Sequence, residues 1–158
     1  MDLTRFRHSV DTTIAVSPEV VYDLVADISR MGEWSPVATG GHYDEDRAWF
    51  TGTNALGDDT WETRCRVERA DRGKAFVFVN HGETGNYEMV RWGFTFRPTE
   101  NGTEVTQTWE VLPTYEDGFA EEDDPGTTLE EWLDLMEEMA RSGMPETLAN
   151  LKQAAEAG

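Results

Sequence analysis

Residues 86–112, NYEMVRWGFTFRPTENGTEVTQTWEVL, contain the pattern that decides the fold. Apolar and aromatic residues alternate with polar ones in two runs, residues 86–97 and 103–112, as expected for β-strands with one buried face. Asn101-Gly102 lies between the two runs, and this dipeptide is typical of a tight hairpin turn. The stretch therefore predicts two neighbouring antiparallel strands that share one core-facing side.

Similar runs precede this hairpin and extend the predicted sheet. Short turns rich in Gly and Asp separate them, and the predicted strands are residues 4–16, 48–54, 60–70 and 75–80. Ser17 and Pro18 predict a helix start after the first strand, with Ser17 as the cap and Pro18 at the first helical position. A second short helix is predicted after Asp27, and Gly40-Gly41 is interpreted as a break in the chain.

The C-terminal part of the chain has a helical period. An acidic loop is predicted for residues 113–126, and Thr127 or Thr128 is expected to cap a long amphipathic helix that continues to the C-terminal residues. Pro145 lacks a backbone N–H, so it is predicted to kink this helix or to split it near residues 141–142. A strand, two short helices, a run of antiparallel strands and one long helix predict an α+β fold with the helix on one sheet face.

Composition and charge exclude several classes of protein. The 158 residues, 38% of them hydrophobic, predict one domain over residues 1–158, and Cys65 is the only cysteine, which excludes a disulfide scaffold. The 32 acidic and 13 basic residues give a net charge of −19, which repels nucleic acid. No apolar run is long enough for membrane insertion. No signal peptide follows Met1, so a cytoplasmic protein, monomeric or homodimeric, is expected.

Four local sequences resemble a known superfamily. They are AVSPEVVYDLV (15–25), Asp27-Ile28 followed by Trp34-Ser35-Pro36, FTGTN (50–54) and GTEVT (102–106). Together they resemble the helix-grip superfamily, also called START-like or Bet v 1-like, which includes the polyketide cyclase/dehydrase group. The resemblance implies the order β-α-α-β6-α, with a curved antiparallel sheet wrapped around the C-terminal helix and an internal cavity. The superfamily includes lipid carriers, hormone receptors and cyclases, so fold alone selects no function.

Strand parity and helical spacing predict which residues face that cavity. The candidate ligand-binding residues are Asn54, Trp61, Thr63, Cys65, Val90, Trp92, Phe94, Gln107, Trp109, Trp132, Met136 and Met139. A mainly apolar lining with a few polar groups is the usual composition of a small-molecule site. The same inward-facing residues would also suit a filled core, and the resemblance to the superfamily is what favours a cavity. An inward Gln107 is costly to bury alone, so it either orients a ligand or bonds water or main chain.

No motif for catalysis, metal or cofactor binding is present. His8, His42 and His81 lie on separate elements without metal-ligand spacing, so neither a metal nor a cofactor is expected. Cys65 is expected to be an inert core thiol. The leading hypothesis is a protein that binds or carries a hydrophobic or aromatic small molecule, lipid- or polyketide-like. The alternatives are a polyketide cyclase, aromatase or dehydratase with a general acid or base such as His81, and an acidic protein-interaction module using residues 116–138.

Overall fold

Seven antiparallel strands form one sheet in a computed structural model of the chain, which describes residues 2–121 and 126–158. The strands are β1 (Arg7–Ile14), β2 (Ala38–Tyr43), β3 (Trp49–Leu56), β4 (Asp59–Asp71), β5 (Ala75–Asn80), β6 (Val90–Thr99) and β7 (Gly102–Val111). The helices are α1 (Pro18–Ala26), α2 (Tyr115–Ala120) and α3 (Leu129–Ala157), with a 3₁₀ turn at Ile28–Glu33. The strands follow the order β1-β7-β6-β5-β4-β3-β2, and the predicted helix-grip arrangement is confirmed.

The hairpin predicted from residues 86–112 is present as β6 and β7. Trp92 lies opposite Trp109, and the ladder closes at the pair Thr99 and Gly102. Strand β6 begins at Val90, so the predicted start at residue 86 is wrong by four residues. Gly102 has a positive φ of 149°, and a Cβ at this position would lie 2.1 Å from the carbonyl oxygen of Ile14. Only glycine therefore allows the hairpin end to pack this closely against β1.

Strand β2 occupies the segment that the sequence analysis interpreted as a chain break. Glycine is a poor strand former by propensity, but here it meets a steric requirement. A Cβ on Gly41 would lie 2.6 Å from the carbonyl oxygen of Thr51 on β3, so the pairing of β2 with β3 needs a residue without a side chain. The close approach of two backbones, which is a tertiary feature, outweighs the local propensity.

Helix α3 continues through Pro145, so of the two outcomes predicted for this proline, a kink or a split near residues 141–142, the split is wrong. Met144 and Leu148, on either side of the proline, are buried against the sheet, and this packing stabilises a helix that the proline alone would interrupt. At the start of the helix, Thr128 accepts a hydrogen bond from the Glu131 N–H at 3.2 Å, and the Glu131 carboxylate accepts one from the Thr128 N–H at 3.4 Å. This capping box confirms Thr128 as the cap.

Two other local predictions need correction. Pro18 is the first residue of α1 as predicted, but the Ser17 side chain makes no capping hydrogen bond. The predicted loop at residues 113–126 contains the short helix α2, whose first residue, Tyr115, is buried and anchors it to the core. The acidic residues at 122–124 lie outside the described residues. None of the described helices combines the length and the apolar character that a membrane span requires.

Two apolar clusters fill the concave side of the sheet. The first lies under α1 and the C-terminal half of α3 and includes Ile14, Val21, Phe50, Phe76, Phe78, Phe94, Phe96, Val105, Leu148 and Leu151. The second lies under α2 and the N-terminal half of α3 and includes Leu3, Phe6, Val90, Trp109, Val111, Tyr115, Leu133, Ala140 and Met144. The partly buried side chains of Val10 and Trp92 pack against both clusters and connect them.

The convex side of the sheet is polar and rich in ion pairs. Arg64 binds Asp44 at 2.8 Å, and Arg91 binds both Glu68 and Glu110 at 2.7 Å. Arg64 and Arg91 therefore point away from the concave face, as their strand parity predicts. Exposed ion pairs of this kind add little stability individually, so the main consequence of the arrangement is that charge is kept on the outer side.

His81 is an exception, because it is a titratable group buried on the convex side. Its ring centroid lies 4.8 Å from that of Trp49, whose neighbour Phe50 faces the concave core. The residue is 8% exposed, and neither ring nitrogen has a hydrogen-bond partner among the described residues. Burial lowers the pKa of His81 from its ordinary value of 6.5; the backbone of Gly85 opposes this shift, Arg66 adds to it, and Glu88 also opposes it.

Replacing Gly102 by alanine is expected to destabilise the protein by about 3 kcal/mol or more, because the new Cβ collides with the β1 backbone. The measurement is denaturant unfolding followed by Trp fluorescence. Gly57→Ala is the matched control: its φ of 61° is also positive, but open space surrounds it. The control is expected to lose only about 1 kcal/mol. Equal losses in the two variants would contradict the steric argument.

The free energy of unfolding is expected to fall as pH is lowered below about 6.5, because His81 binds a proton more readily in the unfolded chain than in the folded one. Above the pKa that His81 has in the unfolded chain, its contribution to the free energy of unfolding is complete. This contribution is lost as pH falls toward the lower pKa that His81 has in the folded protein. His81→Phe keeps a ring against Trp49 and is expected to flatten this dependence between about pH 5 and 7, above the carboxylate range. His42→Gln, at an exposed position, is the control and should retain it. An unchanged slope in His81→Phe would contradict the assignment.

Candidate functional site

The strand register places the predicted ligand-binding residues of the sheet on one face. Asn54 pairs with Trp61, Trp92 with Trp109, and Phe94 with Gln107; partners in a ladder project to the same side. Cys65 pairs with Phe50, which is part of the first apolar cluster. The concave face is therefore the surface that these residues share.

The concave face divides into a buried part and a half-buried part. The buried candidates are Cys65, Val90, Phe94, Gln107 and Trp109. The half-buried candidates on the sheet are Asn54, Trp61, Thr63 and Trp92, and we call these four residues the concave groove. Asn54, Trp61 and Thr63 lie near the β3–β4 turn, whereas Trp92 lies on β6 at the level of Val67, which is two strands away and six residues along β4 from Trp61. Helix α3 lies mainly beside β1, with further contacts to β7. On β3 and β4, Phe50 and Cys65 are buried in the core, and only the residues toward the β3–β4 turn are half-buried. The groove thus contains two large aromatic side chains that are half-buried at separate positions of the concave face.

The candidates on α3 have different positions. Met136 packs against the second apolar cluster together with Trp92, and Met139 is half-buried. Trp132 is 38% exposed and donates its indole N–H to the Tyr115 hydroxyl at 2.6 Å. This hydrogen bond connects α3 to α2, so Trp132 has a structural contact outside the concave groove.

A small polar group lies in the groove. The Asn54 amide donates to the Thr63 hydroxyl and to the Trp61 carbonyl oxygen, both at the long distance of 3.4 Å. Asn80 pairs with Cys65, so it also has concave parity, and its side-chain oxygen accepts a hydrogen bond from the Gly82 N–H at 2.7 Å. The sequence analysis missed Asn80, although its alternation with the inward Phe78 was a usable signal. Amide and hydroxyl groups of this kind orient a ligand without carrying charge.

The groove lacks the usual groups for acid–base or nucleophilic chemistry. Among the described strand residues of β3 to β7, the concave positions carry one ionisable side chain besides Cys65, and this is Asp59 in the exposed β3–β4 turn. On β1, the half-buried His8 pairs with Trp109 and so places an imidazole on the same face, outside the groove. Burial raises the pKa of Cys65 to about 12, so its thiol stays protonated at neutral pH. His81, the general acid or base considered from sequence, lies on the convex side. Within residues 2–121 and 126–158, no cluster of His, Cys, Asp and Glu could hold a metal ion.

Solved structures with this arrangement include a polyketide-cyclase-like protein and two aromatase/cyclases. A polyketide-cyclase-like protein from Corynebacterium glutamicum is 33% identical, with coverage of 96% of this chain and 91% of that protein and a TM-score of 0.68. The ZhuI aromatase/cyclase from Streptomyces sp. R1128 is 14% identical, with coverage of 95% and 93% and a TM-score of 0.69. The di-domain aromatase/cyclase StfQ of the steffimycin pathway is 16% identical, with coverage of 96% and 51% and a TM-score of 0.68.

The sequence comparison agrees with the structural one. No curated protein matches the chain. Residues 5–156, almost the full length, match the family described as polyketide cyclase/dehydrase and lipid transport. The resemblance drawn from the four short sequences is thereby confirmed, and the chain belongs to the polyketide cyclase/dehydrase and lipid transport family.

Proposed function

We propose that this protein binds a hydrophobic or aromatic small molecule, lipid- or polyketide-like, in the concave groove between the sheet and α3. The observation that carries the proposal is the half-burial of Trp61 and Trp92 on a concave, otherwise apolar face. Aromatic rings of this size contribute a large apolar contact area, and a ligand stacked on them removes that area from water. Asn54 and Thr63 supply the few polar contacts that orient such a ligand.

Family membership supports the same class of ligand. The family description joins polyketide cyclisation or dehydration with lipid transport, and both activities require a protein that encloses an apolar molecule. The 33% identical corynebacterial protein is itself described as polyketide-cyclase-like. The two aromatase/cyclases support only the shared fold.

Binding or carriage is favoured over catalysis by the chemistry of the groove. A cyclase or aromatase moves protons, and general acid–base catalysis needs a titratable group within hydrogen-bond reach of the substrate. The groove residues offer amide, hydroxyl and indole groups instead, while the Cys65 thiol is protonated, Asp59 lies in the exposed β3–β4 turn and the His8 imidazole lies on β1 opposite Trp109. Cyclase, aromatase or dehydratase activity remains the second candidate, supported by the family. The acidic segment 116–138 lies partly outside the described residues and carries no proposal.

The neutral dye N-phenyl-1-naphthylamine is expected to bind and to quench Trp fluorescence. Trp61 and Trp92 lie two strands and six residues apart in the sheet, so one dye molecule stacks on one of them. Of the variants Trp61→Ala and Trp92→Ala, the one that removes this ring is expected to weaken dye binding about tenfold, which corresponds to about 1.4 kcal/mol. Trp49→Phe, on the convex side, is the control and should leave the affinity unchanged. If the control weakens binding as much as the groove variants do, the dye binds elsewhere and the proposal fails.

The Cys65 thiol is expected to resist alkylation by iodoacetamide in the folded protein at mildly alkaline pH, because its pKa is raised to about 12 and its side chain is buried. The same reagent should modify it fully in denaturant, and mass spectrometry measures both results. Rapid modification of the native protein would mean that Cys65 is an accessible thiolate, and would reopen nucleophilic catalysis in the groove.

A further inference from the structure

Gln107 places a polar amide at the centre of the apolar concave face. On the neighbouring strands it lies opposite Val10 of β1 and Phe94 of β6. Along β7, the residues with the same parity are Val105 and Trp109, which are 0% and 1% exposed. Gln107 itself is 5% exposed, so its amide is almost entirely removed from bulk water.

The amide oxygen of Gln107 has no hydrogen-bond partner among the described residues. An unpaired buried acceptor costs about 1–3 kcal/mol, and the Val10, Phe94 and Val105 side chains beside it cannot donate a hydrogen bond. The other unpartnered buried side-chain atoms in the described part of the chain belong to His81 and Thr99, which lie outside the concave face. Gln107 is therefore the one such group aimed into the space between sheet and α3 among the residues described.

The distance between Trp92 and Gln107 sets the size of ligand that could contact both residues. Trp92 pairs with Trp109, and Gln107 is two residues from Trp109 on the same strand, so Trp92 and Gln107 are diagonal neighbours. Diagonal neighbours in an antiparallel pair lie about 7–8 Å apart, which is close to the length of a fused two-ring aromatic system. A ring stacked on the half-buried Trp92 thus brings a substituent at its far end to the Gln107 amide.

We infer that Gln107 makes the inner end of the site selective for ligands with a hydroxyl group, such as a phenol or an alcohol on a fused ring. The inference rests on the proposed function and specifies its ligand. A hydroxyl donates to the amide oxygen and also accepts from the amide N–H, whereas a methyl group does neither and a carbonyl only accepts. A site built around an unpaired polar group rejects analogues that leave this group unpaired.

The matched probes are 2-naphthol and 2-methylnaphthalene, which differ by a hydroxyl in place of a methyl group of similar size. Isothermal titration calorimetry measures both dissociation constants. The wild-type protein is expected to bind 2-naphthol about tenfold more tightly. Gln107→Leu is expected to abolish this preference while its melting temperature stays equal or rises, because the unpaired acceptor is gone. Gln153→Leu, at an exposed position on α3, is the control and should keep the preference.

The outcomes separate this inference from the proposed function. Equal binding of both probes to the wild type, or a preference retained in Gln107→Leu, overturns the role of Gln107 and leaves small-molecule binding intact. Binding of neither probe, together with absence of dye binding, overturns the proposed function itself. If Gln107→Leu does not fold, Gln107→Met, which keeps the length of the side chain and lacks the amide, replaces it with the same expected loss of preference.

Discussion

The packing of α3 against one side of the curved sheet is the interaction on which the rest of the structure depends. Leu133, Met144, Leu148 and Leu151 of α3 are almost completely buried, and they contribute to both apolar clusters. The helix lies mainly beside β1 and β7, and on β3 and β4 the residues near their connecting turn, Asn54, Trp61 and Thr63, stay half-buried. The same contact therefore stabilises the fold and determines where a groove remains.

A second constraint is the separation of charge between the two faces of the sheet. The net charge of −19 is carried by the convex side, the loops and the outer face of α3, where arginines such as Arg64, Arg66 and Arg91 pair with carboxylates. The concave positions of the described strands β3 to β7 are almost free of charge. The concave side of these strands is therefore an almost uncharged surface in a strongly acidic protein, and covering it requires no ion to be buried.

The alternation of residues predicted much of the fold, because one buried face imposes a period of two on every strand. The β6–β7 hairpin, the inward set on β4 and the Thr128 cap all follow from such local rules. Where local rules failed, tertiary packing outweighed them. Gly41 sits in a strand because two backbones meet there, and Pro145 sits inside a helix because its neighbours Met144 and Leu148 are buried.

The candidate site divides in the same way. The sequence by itself determined which residues share a face, since parity is a property of the chain, and it placed Trp61, Trp92 and Gln107 on the inner side. Only the tertiary structure decided which of them are covered, because coverage depends on where α3 and α2 lie across the sheet. In the folded structure, Trp61 and Trp92 are half-buried, His81 lies on the convex side, and the Gln107 amide is enclosed without a partner among the described residues. None of these three outcomes is encoded in the spacing of residues along a single strand.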